Sequence, residues 1–170
     1  PVEAHRHHWI GMDFGYTNDP TAIVEVYLCG NDLYVDERCY QTKMMTDDII
    51  RELKNIKGDL EIISESADPR LVDEIYNAGL NIKPVTKFKG SVNAGIMKMQ
   101  QFKIHVTRRS MNIRKEFNNY TWQRDKEGKW LNVPIDMWNH GLDGIRYVVL
   151  DKVLGAYGSG MSASEILDII

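Results

Sequence analysis

Three carboxylates have the residue type and the positions expected of a divalent-metal site. Asp13 ends one apolar run of the chain, Glu65 ends another, and Asp143 lies in the segment 140–147, which is predicted to be helical. Mg²⁺ and Mn²⁺ prefer oxygen ligands, and one carboxylate can bridge two ions about 3.5–4 Å apart. We therefore predict that Asp13 bridges two Mg²⁺ or Mn²⁺ ions and that Glu65 and Asp143 complete the two sites. In such a centre one ion activates water and the other stabilises the leaving 3′ oxygen of a phosphodiester.

Two further polar side chains lie close to these acids in the sequence. His140 precedes Asp143 by three residues, so both project from the same face of a helix. Three roles are open to His140: ligating a metal, orienting water, or steadying Asp143. Asp68 is followed by Pro69, a pattern typical of the start of a helix, so its predicted role is that of a helix cap. The alternative is that Asp68 is itself a metal ligand.

The acids are far apart in sequence, so two adjacent parallel strands and one helix are needed to bring them together. Residues 9–14 are predicted to form a strand in which Asp13 lies on the face opposite the apolar side chains. Gly11 and Gly15 flank Asp13 and leave room for another backbone or a ligand to approach closely. Glu65 ends a short apolar run typical of a buried parallel strand, and ligands are often held at the carboxyl ends of such strands.

The remaining pattern predicts a mixed α/β sheet flanked by helices. The predicted strands are 9–14, 21–28, 33–40, 60–64 and 81–85. The first three are joined by short turns and are therefore expected to be antiparallel, whereas the last two follow predicted helices and are expected to be parallel. Helices are predicted to start near 46, 68, 91 and 110, and a long one is predicted over 136–157. Residues 103–107 form a short extended piece, outside the five-stranded sheet.

The chain is expected to form one domain. Its 170 residues are 43% hydrophobic, enough for a sizeable core. We predict a domain at 9–157, a linker or fragment start at 1–8, and a flexible tail at 158–170. No apolar stretch approaches the roughly 20 residues that a membrane span requires. There is also no G-x-S-x-G motif and no P-loop motif, which argues against a serine nucleophile and excludes P-loop ATP hydrolysis.

Positive charge is concentrated in one part of the chain. Residues 81–115 contain nine Lys or Arg residues and no Asp or Glu, although the net charge of the whole chain is −3. One interpretation is a surface that follows a phosphate backbone. The other is a pair of amphipathic helices with solvated Lys and Arg faces, and charge alone does not decide between them.

Five motifs in order resemble one known family. They are Gly11-Met-Asp13-Phe-Gly15, Glu65-Ser-Ala-Asp68-Pro69-Arg70, Lys87…Gly90-Ser91-Val92, Tyr120-Thr-Trp122 and Asn139-His140-Gly-Leu-Asp143-Gly-Ile-Arg146-Tyr147. The chain resembles the C-terminal nuclease domain of the large terminase subunit of tailed bacteriophages. The resemblance runs from about Ile10 to Leu150, almost the whole chain.

The resemblance implies a ribonuclease H-like fold and a two-metal endonuclease that cuts concatemeric viral DNA at the start and end of packaging. It implies that Asp13, Glu65 and Asp143 are catalytic residues that bind the metals, and that His140, beside Asp143, is catalytic as well. Many relatives have Asp where this chain has Glu65, and the longer side chain leaves the position of the second metal open. The implied cofactors are two Mg²⁺ or Mn²⁺ ions.

The resemblance also implies partners. These are double-stranded DNA, the packaging ATPase domain of the same full-length chain, the portal protein and the small terminase subunit, in the cytoplasm of an infected bacterial host. The ATPase domain is missing from this sequence, which we expect to be a fragment. A hairpin is predicted over 121–130, where Trp122 and Trp130 brace a candidate DNA clamp or gate. The predicted DNA contacts are Lys87, Lys89, Arg108, Arg109, Arg124, Lys126 and Lys129.

Two other functions fit the same residues. The first is another nuclease of this fold, either a junction resolvase or an enzyme for RNA–DNA hybrids. The second is a non-catalytic module that binds DNA or the portal. Retention of the three acids together with His140 argues against the second, because a degenerate domain need not keep them.

Overall fold

Five of the six strands in the main sheet run in the same direction, and their carboxyl ends therefore lie at one edge. A computed structural model describes residues 7–155. The strands are β1 (His8–Asp13), β2 (Thr21–Cys29), β3 (Asp32–Gln41), β4 (Ile62–Ser64), β5 (Ile82–Pro84) and β6 (Lys103–Val106). Their order is β5-β4-β1-β2-β3-β6, and β2 is the strand that runs against the others. The predicted mixed α/β architecture is confirmed.

The strand register places two of the predicted acids side by side. In the parallel pair β1 and β4, Met12 lies opposite Ser64. The backbone amide of Glu65 donates to the carbonyl oxygen of Met12 at 3.0 Å. Asp13 and Glu65 are the next residues of the two strands, so they come together at the carboxyl edge of the sheet, as predicted.

The main sheet has one strand more than the five that were predicted. Residues 103–106 form β6, which pairs in parallel with the first half of β3. The short segment Lys-Ile-His-Val has only weak strand character by itself. It becomes a strand because β3 is ten residues long and offers it an unpaired edge.

Helices cover both faces of the sheet. They are α1 (Thr46–Lys54), α2 (Pro69–Asn77), α3 (Ser91–Gln100), α4 (Met111–Asn119) and α5 (His140–Val148), and α5 continues as a π-helical turn, Val149–Leu154. The long helix predicted from residue 136 begins instead at His140, because the carboxylate of Glu116 caps it there. Its predicted end at residue 157 lies outside the described residues.

The core lies in two layers, one on each side of the sheet. One layer packs α1 and α2 against side chains such as Ile10 and Met12, and the other packs α3, α4 and α5 against the opposite face. Alternation along β1 therefore places Asp13 on the face opposite Ile10 and Met12, as predicted, and the structure shows that α5 covers that face.

The first strand begins one residue before the predicted start of the domain. β1 begins at His8, within the predicted linker, and the Nε2 atom of His8 lies 2.9 Å from Oε2 of Glu25. Residues 1–6 and the predicted tail at 158–170 lie outside the described residues. Among the helices within residues 7–155, none combines the length and the apolar composition needed to cross a bilayer.

Candidate active site

Helix α5 lies directly on β1 at a contact between two glycines. A Cβ atom on Gly11 would lie 2.0 Å from the carbonyl oxygen of Gly144 and 2.5 Å from its carbonyl carbon. Only glycine allows this approach, which confirms the predicted close contact at Gly11. Because Asp143 immediately precedes Gly144, the contact brings the third predicted acid to the edge where Asp13 and Glu65 meet.

The hydroxyl group of Tyr147 lies between two of the predicted acids. Its oxygen is 2.6 Å from Oε2 of Glu65 and 3.1 Å from Oδ1 of Asp13. Tyr147 is buried, and burial together with the charges of Asp13 and Asp143 raises the pKa of its hydroxyl far above the usual range. The group therefore keeps its proton, which it can donate to one carboxylate at a time.

Glu65 is held in place by four donors. Oε1 accepts from the Lys87 ammonium at 2.5 Å and from the amides of Ser66 and Ala67 at 2.7 and 3.1 Å. Burial would raise the pKa of Glu65, but the hydrogen bonds from Lys87, Tyr147 and Ser66 outweigh it and lower the pKa to about 2. Glu65 is thus a fixed negative charge whose nearest counter-charge is Lys87.

His140 contacts two aspartates. Its Nδ1 atom lies 3.3 Å from Oδ2 of Asp13, and its Nε2 atom lies 3.5 Å from Oδ1 of Asp19. The hydrogen bond with Asp13 raises the pKa of His140, although burial acts against it. The structure thus links His140 to Asp13, whereas Asp143 bonds Arg146.

Asp143 is paired with the buried guanidinium of Arg146, whose Nη2 atom lies 3.1 Å from Oδ1 of the carboxylate. Burial raises the pKa of Asp143 to about 6, and the charge of Asp13 adds to that rise while Arg146 opposes it. Gly95 makes room for the arginine, because a Cβ atom there would lie 2.5 Å from Cγ of Arg146. The third acid therefore has a defined partner on its own helix.

The carboxylate oxygens of the three acids suit a divalent cation, but in this structure they do not surround one point. Within residues 7–155, no three His, Cys, Asp or Glu side chains converge in a way that could hold one ion. Burial raises the pKa values of both Asp13 and Asp143, and a cation between them would favour their ionised forms. Carboxylate oxygens are also the ligands that Mg²⁺ and Mn²⁺ prefer. In this structure the three acids do not converge on a single point, so their roles as ligands stay predictions.

Asp68 is a helix cap, as predicted. Its Oδ1 atom accepts a hydrogen bond from the backbone amide of Leu71 at 3.1 Å, and Pro69 is the first residue of α2. This contact satisfies one of the free amides at the start of α2.

The basic segment 81–115 does not form one continuous surface. Lys83 lies on β5 and Lys103 on β6, which are the two opposite edges of the main sheet. Several of the basic side chains in this segment form ion pairs: Lys83 with Glu61 and Asp151, Lys87 with Glu65, and Arg109 with Asp36. Lys89 and Arg108 are exposed. The predicted DNA contacts in this segment therefore fall into two separate groups, one after β5 and one after β6.

The predicted hairpin is present as β7 (Trp122–Arg124) and β8 (Trp130–Pro134). The Arg124 guanidinium stacks on the ring of Trp130, 3.7 Å from its centroid. Trp130 is itself 51% exposed, so it presents an aromatic face to solvent rather than bracing the hairpin from inside. Lys126 and Lys129 lie exposed in the turn, beside Arg124 on the same projecting element.

Sequence reasoning missed three side chains that contact the site. Tyr147 could have been found, because it follows His140 by seven residues and thus lies on the same face of α5 two turns later. No sequence pattern points to Asp19 or Glu116. Asp19 approaches His140 from a loop, and Glu116 approaches the start of α5 from another helix.

The family model and the curated relatives that this chain matches all concern terminases. A family model described as the terminase RNase H-like domain matches residues 13–151. The chain is 32% identical over 146 residues to the large terminase subunit of Bacillus phage SPP1, covering 81% of this chain and 34% of that protein. It is 29% identical over 145 residues to the PBSX phage terminase large subunit of Bacillus subtilis strain 168, covering 83% and 34%.

One solved structure extends the likeness to three dimensions. The crystal structure of the nuclease domain of the SPP1 large terminase with bound Mn superposes with a TM-score of 0.78 at 30% sequence identity. The match covers 87% of this chain and 89% of that one.

Proposed function

The chain belongs to the terminase RNase H-like domain family, and from this we propose that it is a metal-dependent DNA endonuclease that cuts concatemeric viral DNA during genome packaging. The observation that carries the proposal is the meeting of Asp13 and Glu65 at the carboxyl ends of adjacent parallel strands, beneath the helix that bears Asp143. The SPP1 nuclease domain, solved with bound Mn, supports the use of a divalent metal.

In this proposal Asp13, Glu65 and Asp143 would hold two Mg²⁺ or Mn²⁺ ions. When bound, the ions would activate the attacking water and stabilise the leaving 3′ oxygen. His140 orients Asp13 through their hydrogen bond, and the Tyr147 hydroxyl, which lies between Asp13 and Glu65, donates to one of these two carboxylates. Lys87, paired with Glu65, places a positive charge at the same edge, where it can meet the phosphate being cut.

The first test is cleavage of supercoiled plasmid by the 170-residue chain in Mn²⁺, Mg²⁺ or EDTA. We expect nicked and linear DNA with the metals and none with EDTA, since in the proposed mechanism the metal ions supply both the activation of water and the stabilisation of the leaving oxygen. Duplex, four-way junction and RNA–DNA hybrid substrates run in parallel separate the proposed activity from the related nucleases. A folded chain that cuts nothing in either metal would favour the non-catalytic docking module.

A second test concerns the two lysines after β5. We expect Lys87→Ala combined with Lys89→Ala to weaken binding of a DNA duplex roughly tenfold. The slope of log affinity against log salt concentration should become shallower by about one to two, which corresponds to the loss of one to two phosphate contacts. Binding is measured by fluorescence anisotropy across a salt series without divalent metal, so that no DNA is cut.

The control for this double variant is Lys54→Ala with Lys57→Ala. These two exposed lysines lie at and after the end of α1, away from the carboxyl edge, and their removal changes the net charge by the same amount. Unchanged duplex binding by the Lys87 and Lys89 variant at low salt, or an equal loss in the control, would refute the proposed contact.

The proposed partners concern a protein of the length of the curated relatives. The chain spans about a third of the length of the curated relatives it matches. We propose that the complete protein joins this domain to a packaging ATPase and works with the portal and the small terminase subunit in the cytoplasm of the infected bacterium.

A further inference from the structure

We infer that Glu116 on α4 is a positioning residue, which fixes the first turn of α5 and thereby the directions of His140 and Asp143. The inference rests on the proposed function, because it concerns the two predicted site residues that this turn carries. Glu116 itself is expected to touch neither DNA nor metal.

The carboxylate of Glu116 caps α5 from a different helix. Oε1 accepts from the backbone amide of Leu142 at 3.0 Å, and Oε2 is 3.3 Å from the amide of Gly141. The first amides of any helix have no partner within the helix, and the side chain of Asn139, at the usual capping position, makes no capping bond. A negative charge at this end is also favoured by the helix dipole. Glu116 thus supplies the cap that the sequence around α5 lacks.

The capping carboxylate is itself held firmly. The hydroxyl of Tyr40 on β3 donates to its Oε2 at 2.8 Å, and Glu116 is only 1% exposed. Gly141 allows the approach, because a Cβ atom there would lie 2.9 Å from Cγ1 of Ile113 and 3.2 Å from Oε1 of Glu116. Burial raises the pKa of Glu116, and the three hydrogen bonds act against that rise.

The position of the cap explains why the site depends on it. His140 is the first residue of α5, Asp143 is the fourth, and the two amides that Glu116 holds lie between them. If the cap is lost, this turn can fray, and the two side chains lose their fixed directions. Groups that orient the ligands of a metal typically contribute about 10- to 100-fold to its affinity.

The decisive variant is Glu116→Gln, which keeps the size of the side chain but removes its charge and one acceptor. We expect Mn²⁺ affinity, measured by calorimetry well below the melting temperature, to fall roughly tenfold. Hydrogen exchange at the amides of Gly141 and Leu142 should accelerate in the absence of metal. Tyr40→Phe, which leaves the carboxylate in place, should give a smaller change in the same direction and serves if Glu116→Gln does not fold.

Glu37→Gln is the matched control. Glu37 accepts from the amide of Ile113 at 3.0 Å and from Nδ2 of Asn112 at 2.7 Å, so it holds the start of α4 with similar chemistry. We expect this control to lower the melting temperature while leaving Mn²⁺ affinity unchanged. An equal loss of affinity in Glu37→Gln, or unchanged affinity in Glu116→Gln, would overturn the positioning role.

The two readouts separate this inference from the proposed function. A wild-type chain that binds no Mn²⁺ would refute the metal-dependent function and with it the positioning of metal ligands. A wild-type chain that binds Mn²⁺ while Glu116→Gln binds it equally well would refute the role of Glu116 alone. Unaltered exchange at Gly141 and Leu142 in a folded Glu116→Gln variant would refute the cap itself.

Discussion

Asp13→Asn is expected to abolish metal-dependent nicking of supercoiled plasmid. Asp13 is the acid that meets both Tyr147 and His140, and it is one of the proposed ligands of the metals. A bound metal contributes several kcal/mol of transition-state stabilisation, so its loss corresponds to a rate at least about 10³-fold lower. The rate is measured with enzyme in excess over plasmid, in Mn²⁺ and in Mg²⁺.

The same variant should keep its fold. Asp13 is 7% exposed, and burial raises its pKa. Burial therefore destabilises the ionised carboxylate when no cation is bound. The neutral amide removes that buried charge, so thermal denaturation of Asp13→Asn in EDTA should show a melting temperature at or above that of the wild type.

Asp73→Asn provides the control for this experiment. Asp73 is exposed on α2, on the other side of the sheet from α5, and the substitution makes the same chemical change. The control should cut at the wild-type rate. If Asp13→Asn also cuts at the wild-type rate, Asp13 is not a metal ligand and the proposed centre is wrong.

Gly11→Ala is expected to cause the largest loss of stability among single substitutions near the site. The new Cβ atom would lie 2.0 Å from the carbonyl oxygen of Gly144, and the clash is between two backbones, so no side-chain rotation can relieve it. Helix α5 must move away from β1, which separates Asp143 from Asp13. We expect the free energy of unfolding to fall by about 3 kcal/mol or more, at or above the upper end of the usual range for overpacking.

Urea denaturation measures this loss, and Gly155→Ala is its control. Gly155 has a helical φ of −63°, and among the described residues a Cβ atom there meets only the carbonyl oxygen of Leu150 at an ordinary 3.5 Å. The control should therefore be neutral or slightly stabilising. Equal stability of the two variants would mean that α5 does not depend on the glycine contact, and Mn²⁺ affinity of the Gly11→Ala variant would then be unaffected as well.

The elements that carry the predicted acids could be recognised from sequence because each has a strong local pattern. The alternation along β1 placed Asp13 opposite Ile10 and Met12, and the Asp68-Pro69 pair marked the start of α2. The buried, parallel character of β4 followed from the rule that short apolar runs between helices form such strands. These features depend on residues that are neighbours in sequence.

The predictions differed from the structure where the local sequence pattern was weak. β6 has four residues and became a strand only through pairing with the free edge of β3. The basic segment 81–115 appeared continuous in sequence, yet the chain crosses from one edge of the sheet to the other within it. A run of like charges carries no information about the path of the backbone, so its division into two groups could not be predicted.

The sequence by itself determined which chemistry is available: three carboxylates and a histidine, at the ends of strands and on one face of a helix. Only the tertiary structure decided how these groups are held. The Tyr147 hydroxyl lies between Asp13 and Glu65, Lys87 neutralises Glu65, and Glu116 caps α5 from another helix. The physical reason is that periodicity and capping act over a few residues, whereas the partner of a buried polar group is chosen by the packing of elements that are distant in the chain.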